Sequence, residues 1–217
     1  MILNIHKPIG WTSFDVVKKI RGIVHEKKVG HGGTLDPFAE GVLIIGTGKD
    51  TKQLSTITAE DKSYTATIQL GEITNTLDTE GHIIETKSIP ELSRDKVEQV
   101  LSSFLGSSYQ TPPMFSAKKV NGQRLYKLAR KNIVVKREPV EIHIKEMTLN
   151  DFTDSTITFS TTCSKGTYIR VLGKEIAENL GTVGFLRTLL RTQVGTFSIN
   201  ESKSINKFED LWKSSIK

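Results

Sequence analysis

The sequence predicts an α+β fold, a mixed and largely antiparallel sheet flanked by helices. Three observations carry this expectation. Tyr64, Ala66, Ile68 and Leu70 alternate with polar residues, and Ile157, Phe159, Thr161 and Cys163 share a face in the same way, the period of strands with one buried side. Val97, Val100, Leu101, Phe104 and Leu105 repeat at i, i+3, i+4, i+7 and i+8, the period of a core-facing helix. Helices and strands intersperse without the strict βα alternation of a parallel sheet.

Taken in order, residues 2–5 predict a short strand, and Thr12 or Ser13 can cap a helix to residue 24 with Phe14, Val17, Ile20 and Val24 on one face. A glycine-rich loop follows, then a buried strand over 41–48. Thr51 is expected to cap a short helix over 52–57. Residues 64–70 form the alternating strand, and 74–81 a polar, turn-rich loop. Ser93 caps the helix that Gly106 can end. Residues 112–117 read as extended, Asn121-Gly122 as a tight turn, and 124–131 as a short helix. Strands are expected over 140–149 and 155–163, a helix to Leu180 closed by Gly181, a strand over 192–199 and a terminal helix over 208–213. No composition shift demands a second compact domain, so one domain over 1–217 is expected.

The chain has 217 residues, 25% charged and 36% hydrophobic, enough to bury a core without disulfides or metals. Its net charge of +6 and pI of about 9.3 favour a polyanionic partner, nucleic acid before membrane. Cys163 is the only cysteine, which excludes an intrachain disulfide and suggests a reducing compartment. The N-terminus lacks the pattern of a signal peptide, and the longest uncharged run, 101–117, is too polar to span a bilayer. A cytoplasmic location is expected. Between Lys118 and Arg137 eight Lys or Arg occur without an acid; a solvated face would mix both signs, so this block reads as a phosphate-contacting surface, with Tyr126 as a possible stacking group.

The chemistry narrows by exclusion. The five histidines show neither an i, i+4 pair nor a Cys/His cluster, so no metal site is expected. There is no Gly-x-Ser-x-Gly elbow. The stretch Gly30-His31-Gly32-Gly33-Thr34-Leu35-Asp36-Pro37 is glycine-rich, but it lacks the Lys-Ser/Thr of a P-loop and its acid would repel phosphate. What remains is one carboxylate, Asp36, held by Pro37 in an extended conformation; an ordinary Asp-Pro turn is the alternative. A nucleophilic aspartate needs no base at neutral pH, since carboxylic side chains have reference pKa values of about 4. It needs positioning, partial desolvation and a cation. Arg170 is a candidate cation, and Tyr64 or Tyr168 a candidate aromatic to hold a flat substrate.

Several motifs, in order, resemble the TruB-type tRNA pseudouridine(55) synthases: Lys7-Pro8-x-Gly10-x-Thr12-Ser13, the Asp36 stretch, Asp61-Lys62-Ser63-Tyr64, Pro112-Pro113-Met114-Phe115-Ser116-Ala117, Ser164-Lys165-Gly166-Thr167-Tyr168-Ile169-Arg170 and Leu189-Leu190-Arg191-Thr192. The resemblance runs over about residues 4–199. It implies a pseudouridine synthase-like fold with an RNA-clasping insertion at about 112–140. It assigns catalysis to Asp36, with Tyr64 stacking on the uracil and Arg170 pairing with the aspartate. It implies RNA or base contacts for His31, Leu189, Lys118, Lys119, Lys127 and Arg130, and Tyr168 stays a candidate substrate-binding aromatic. The partner implied is the T-arm stem-loop of tRNA, whose target base must be extruded to react. No cofactor, metal, membrane or protein partner is implied, and a monomer is expected. Two departures stand out: Leu190 replaces the first arginine of the leucine-arginine motif, for which Arg187 is a candidate substitute, and Phe185 stands where a histidine is common. The chain ends soon after the catalytic core, so the C-terminal PUA domain of many members is not expected. Two rival readings are an RNA-binding or RNA-folding protein with dispensable chemistry and a guide-RNA-dependent relative of the dyskerin type.

Overall fold

The computed structural model describes residues 1–120 and 122–215. Its elements in chain order begin with β1 (Ile2–Lys7), α1 (Ser13–Val24), β2 (Val29–His31), β3 (Glu40–Thr47), α2 (Leu54–Ala59), β4 (Lys62–Leu70), β5 (Glu72–Thr74) and β6 (Ile83–Thr86). They continue with α3 (Arg94–Ser102), β7 (Gly106–Gln110), β8 (Lys119–Val120), β9 (Gln123–Arg124), α4 (Leu125–Ala129), β10 (Val140–Phe152) and β11 (Thr156–Cys163). The last are α5 (Ile169–Asn179), β12 (Gly184–Val194), β13 (Phe197–Ser198), β14 (Lys203–Ser204) and α6 (Ile205–Ser215). They fall into two compact units: Met1–Tyr64 with the chain from Leu189 onward, and Thr65–Thr188.

In the first unit β1 and β2 each pair antiparallel with β3, while the end of β12 runs parallel to β3 with Leu190 opposite Glu40 and Arg191 opposite Gly41. β14 joins β1 in parallel and β13 folds back on β12. Helix α1 starts where Thr12 and Asp15 cap each other: the Asp15 amide donates to the Thr12 hydroxyl (3.0 Å) and the Thr12 amide to the Asp15 carboxylate (2.9 Å). Its buried stripe is Ser13, Val16, Val17, Ile20 and Val24, which packs with Ile5, Val29, Leu43, Ile45 and, from α6, Ile205 and Phe208. Phe14, expected on that face, is 62% exposed. It lies about 100° around the helix from the centre of the stripe, and Ser13 takes the inward position.

In the second unit the strand order is β12-β4-β11-β10-β7. β4 buries every second residue from Lys62 to Leu70, as its alternation predicts, and the hydroxyl pairs Thr65–Ser160 and Thr67–Thr158 place β4 antiparallel to β11. Ile157, Phe159, Thr161 and Cys163 are all buried. Helix α5 packs closely on the sheet: a side chain on Gly173 would meet the end of the Leu186 side chain at 2.7 Å, and Leu186 would have to shift to admit it.

Several boundaries differ from expectation. Thr51 does not cap a helix; its hydroxyl bonds the Gly48 carbonyl inside a 3-10 segment (Gly48–Gln53), and α2 begins after it. α3 ends at Ser102, leaving Leu105 48% exposed, because Gly106 (φ +94°) turns the chain into β7. Residues 114–117 bend rather than extend. The strand expected over 192–199 starts at Gly184 and is broken at Gly195 (φ +52°). α6 is longer than expected in both directions. Gly122 has the positive φ (+79°) of a tight turn, while Asn121 lies outside the described residues. The overall class is the α+β one expected, with most strand pairs antiparallel.

Candidate active site

The glycine-rich stretch divides in two. Gly30 and His31 belong to β2, paired with Gly46 and Ile45, and the loop proper runs from Gly32 to Ala39. His31 therefore sits on a strand at the loop's entrance, half-buried. Asp36 lies near the loop's end, half-exposed between buried Leu35 and Phe38. The Ala39 amide closes a turn onto the Asp36 carbonyl at 3.2 Å. Buried flanks with a half-exposed carboxylate between them are what a group that must meet a substrate requires.

The loop backbone is tied down by side chains from distant parts of the sequence. The hydroxyl of Ser13, at the start of α1, accepts from the Leu35 amide (2.9 Å) and lies 3.1 Å from the Leu35 carbonyl. The ammonium of Lys7, fully buried, donates to the carbonyls of Trp11 (2.6 Å), Pro8 (2.8 Å) and Pro37 (3.3 Å). The Gly10 amide donates to the same Pro37 carbonyl at 2.8 Å. Arg191, 1% exposed, donates from Nη2 to Gly33, from Nη1 to Thr34 and from Nε to Val42, all at carbonyl oxygens. These tethers connect the motif Lys7-Pro8-x-Gly10-x-Thr12-Ser13 to the loop that carries Asp36.

Tyr64 stands on the buried face of β4 at 9% exposure, and Leu189 on β12 at 6%. With Asp36 and His31 they belong to the first unit.

Tyr168, Arg170 and the basic block belong to the second unit. Tyr168 precedes α5, and Gln110 fixes its backbone: the Gln110 Oε1 accepts from the Tyr168 amide (2.8 Å) and Nε2 donates to its carbonyl (3.2 Å). Arg170, on the first turn of α5, is 3% exposed. Its guanidinium lies 3.2 Å from the Asp78 carboxylate and donates to the carbonyls of Thr76 and Phe115, each at 2.7 Å. Asp78 in turn accepts from the Thr76 hydroxyl (2.5 Å) and the Glu80 amide (3.0 Å). The segment 74–81 is thus polar and turn-rich as expected, yet it buries a carboxylate at its centre. Sequence reasoning singled out neither Ser13 and Arg191 in the first unit nor Asp78 and Gln110 in the second. For Arg191 and Ser13 the signal was their place inside recognised motifs; Asp78 and Gln110 carried none.

In the basic block Lys119, Arg124, Lys127, Arg130, Lys131 and Lys136 are exposed, while Lys118 and Arg137 are half-buried. The Arg130 guanidinium lies 5.6 Å over the Tyr126 ring, and Lys136 pairs with Glu138. Most of the block's charge is therefore presented to solvent on and around α4 and the β8–β9 hairpin. Arg187 is exposed on β12.

Residues 21–169 match the family model described as "TruB family pseudouridylate synthase (N terminal domain)". The chain is 43% identical to the tRNA pseudouridine synthase B of Hydrogenovibrio crunogenus, across 96% of this chain and 69% of that protein. It is 46% identical to the tRNA pseudouridine synthase B of Clostridium acetobutylicum, across 97% of this chain and 71% of that one. Its fold is similar to a chain in the crystal structure of a Cbf5-Nop10-Gar1 complex, with a TM-score of 0.78 and 27% identity, over all of this chain and 56% of that one. Motifs, fold and relatives agree, and the chain belongs to the TruB family of pseudouridylate synthases.

Proposed function

We propose that this chain, working as a single catalytic domain with a basic insertion, isomerises a uridine in the T-arm of tRNA, at position 55, to pseudouridine. The observation that carries the proposal is Asp36, half-exposed at the end of a loop whose backbone is fixed residue by residue. The relatives that match 93–97% of the chain at 43–46% identity are each named tRNA pseudouridine synthase B.

In the proposed reaction the glycosidic bond from C1′ to N1 of the uracil breaks, the base rotates, and a bond forms from C1′ to C5, which then loses its proton while N1 takes one up, so that no atom is gained or lost. Asp36 attacks C1′ or assists formation of a glycal. Tyr64 stacks on the uracil and relays the C5 proton. Arg170 supplies the cation, Leu189 lines the base pocket, and Tyr168 is a substrate-binding aromatic. Extruding the base costs a few kcal/mol; His31 helps to fill the vacated space. Lys118, Lys119, Lys127 and Arg130 hold the RNA backbone. The protein acts as a monomer, without a protein partner. No helix among the described residues is long and apolar enough to cross a membrane, which is compatible with work on RNA in the cytoplasm.

The test is incubation of the purified protein with a bare T-arm stem-loop, without guide RNA or accessory proteins. Pseudouridine at the position equivalent to 55 supports the proposal. Activity only when guide RNA and partner proteins are supplied would favour the guide-RNA-dependent reading instead.

A further inference from the structure

Arg191 presents an energetic puzzle. It heads the fully buried side chains by volume, and among the described residues its guanidinium meets carbonyl oxygens and no carboxylate. Burying an unpaired cation is costly, and three charge-assisted bonds to carbonyls offset that cost only in part. An apolar side chain of similar volume would serve a core at least as well.

The geometry supplies the reason. The fork of Arg191 reaches the Gly33 carbonyl (3.2 Å) and the Thr34 carbonyl (3.3 Å), three and two residues before Asp36, and the Val42 carbonyl (2.7 Å) beyond it. Its own backbone pairs with Gly41, downstream of Asp36. Gly41 has φ +109°, and any Cβ there would run into the Arg191 carbonyl, so the two backbones are locked together. One residue therefore grips both ends of the loop. Ser13 grips its middle: Leu35, the residue directly before Asp36, has its amide held by the Ser13 hydroxyl at 2.9 Å. A planar guanidinium with five donors can hold three carbonyls at fixed angles, which an ammonium cannot.

We infer that Arg191 and Ser13 are positioning residues for Asp36, fixing the loop so that its carboxylate is held at the reacting carbon of the substrate. This rests on the assignment of catalysis to Asp36. It explains why a buried arginine persists in the leucine-arginine motif even where Leu190 replaces its neighbour: the retained arginine acts on the loop, not on RNA.

The experiment compares wild type, Arg191→Lys, Ser13→Ala, Ser13→Thr and Asp36→Asn, each as the full chain. Single-turnover rate at saturating T-arm stem-loop, RNA dissociation constant and thermal melt are measured, with rates taken well below every melt. Because a misplacement of about 1 Å can cost about 100-fold, Arg191→Lys is expected to lose about 10- to 100-fold in rate per folded molecule. RNA affinity should stay within about twofold, since no phosphate-binding group is removed. Ser13→Ala should lose rate in the same way, and Ser13→Thr, which keeps the hydroxyl, should recover it. Wild-type rates per folded molecule in both Arg191→Lys and Ser13→Ala, with only the melts lowered, would overturn the inference and leave the two as structural residues. Should Arg191→Lys fail to fold, the Ser13 pair decides the matter alone. Asp36→Asn separates the two levels: full activity there overturns the catalytic assignment itself, whereas an inactive Asp36→Asn beside fully active Arg191→Lys and Ser13→Ala overturns only the clamp.

Discussion

Asp78 and Arg170 are each almost excluded from water, at 2% and 3% exposure, and lie 3.2 Å apart. Truncating one member of such a pair removes a charge that compensates the other inside the protein, so Asp78→Ala should destabilise the protein by about 3–5 kcal/mol. Urea unfolding checks this. Asp78→Asn, which keeps the acceptor oxygen for the Glu80 amide, should cost less. Neither residue advertised the other in the sequence. Asp36 was legible because its signal is local: glycines before it, proline after it, and a motif of fixed spacing. Tyr64 was legible because it begins an unbroken alternation. The pairing of Asp78 with Arg170, of Leu35 with Ser13 and of Gly33 with Arg191 joins distant segments, and a hydrogen bond between distant segments leaves no period in the chain. Asp78 in particular was hidden in a stretch whose Thr, Asn and Gly content reads as a solvated loop.

At the scale of elements, α6 is held to α1 by charge as well as by Ile205 and Phe208. Glu209 bonds Lys19 at 2.7 Å and Lys213 at 2.8 Å. The Lys19 bond, followed by that of Lys213, pulls the Glu209 carboxyl from its ordinary 4.5 down to about 2. A carboxyl depressed on folding contributes stability above its unfolded pKa and loses it as pH falls through the folded value. Stability from this ion pair should therefore decline between about pH 4.5 and 2, and Glu209→Gln should flatten that part of the profile; acid titration of the melting temperature reads it directly. In the basic insertion, neutralising Lys118, Lys119, Lys127 and Arg130 should weaken RNA binding. The slope of log K against log salt should fall by about 0.7–0.9 for each RNA phosphate no longer neutralised. An unchanged slope would make the block an ordinary solvated surface. Elements with one buried face, such as β4, β11 and α1, could be read from periodicity. β7, Gly106–Gln110, could not: among the described residues it pairs only with β10, and it is mostly exposed, so no hydrophobic pattern marks it. Phe14 failed because an apolar residue one step outside a stripe still fits a helical count, and Leu105 because the helix ends at Ser102 before reaching it.

For the whole molecule, family membership rests on a model matching residues 21–169 and on relatives matched over more than nine tenths of the chain. The chemistry proposed concentrates on one carboxylate. The measurement that bears on it most directly is pseudouridine mapping in unmodified tRNA incubated with purified wild type or with Asp36→Asn, alongside RNA binding by both. Pseudouridine at position 55 with wild type, none with Asp36→Asn, and nearly equal binding is the predicted result. Pseudouridine formed at the wild-type rate by Asp36→Asn would contradict it.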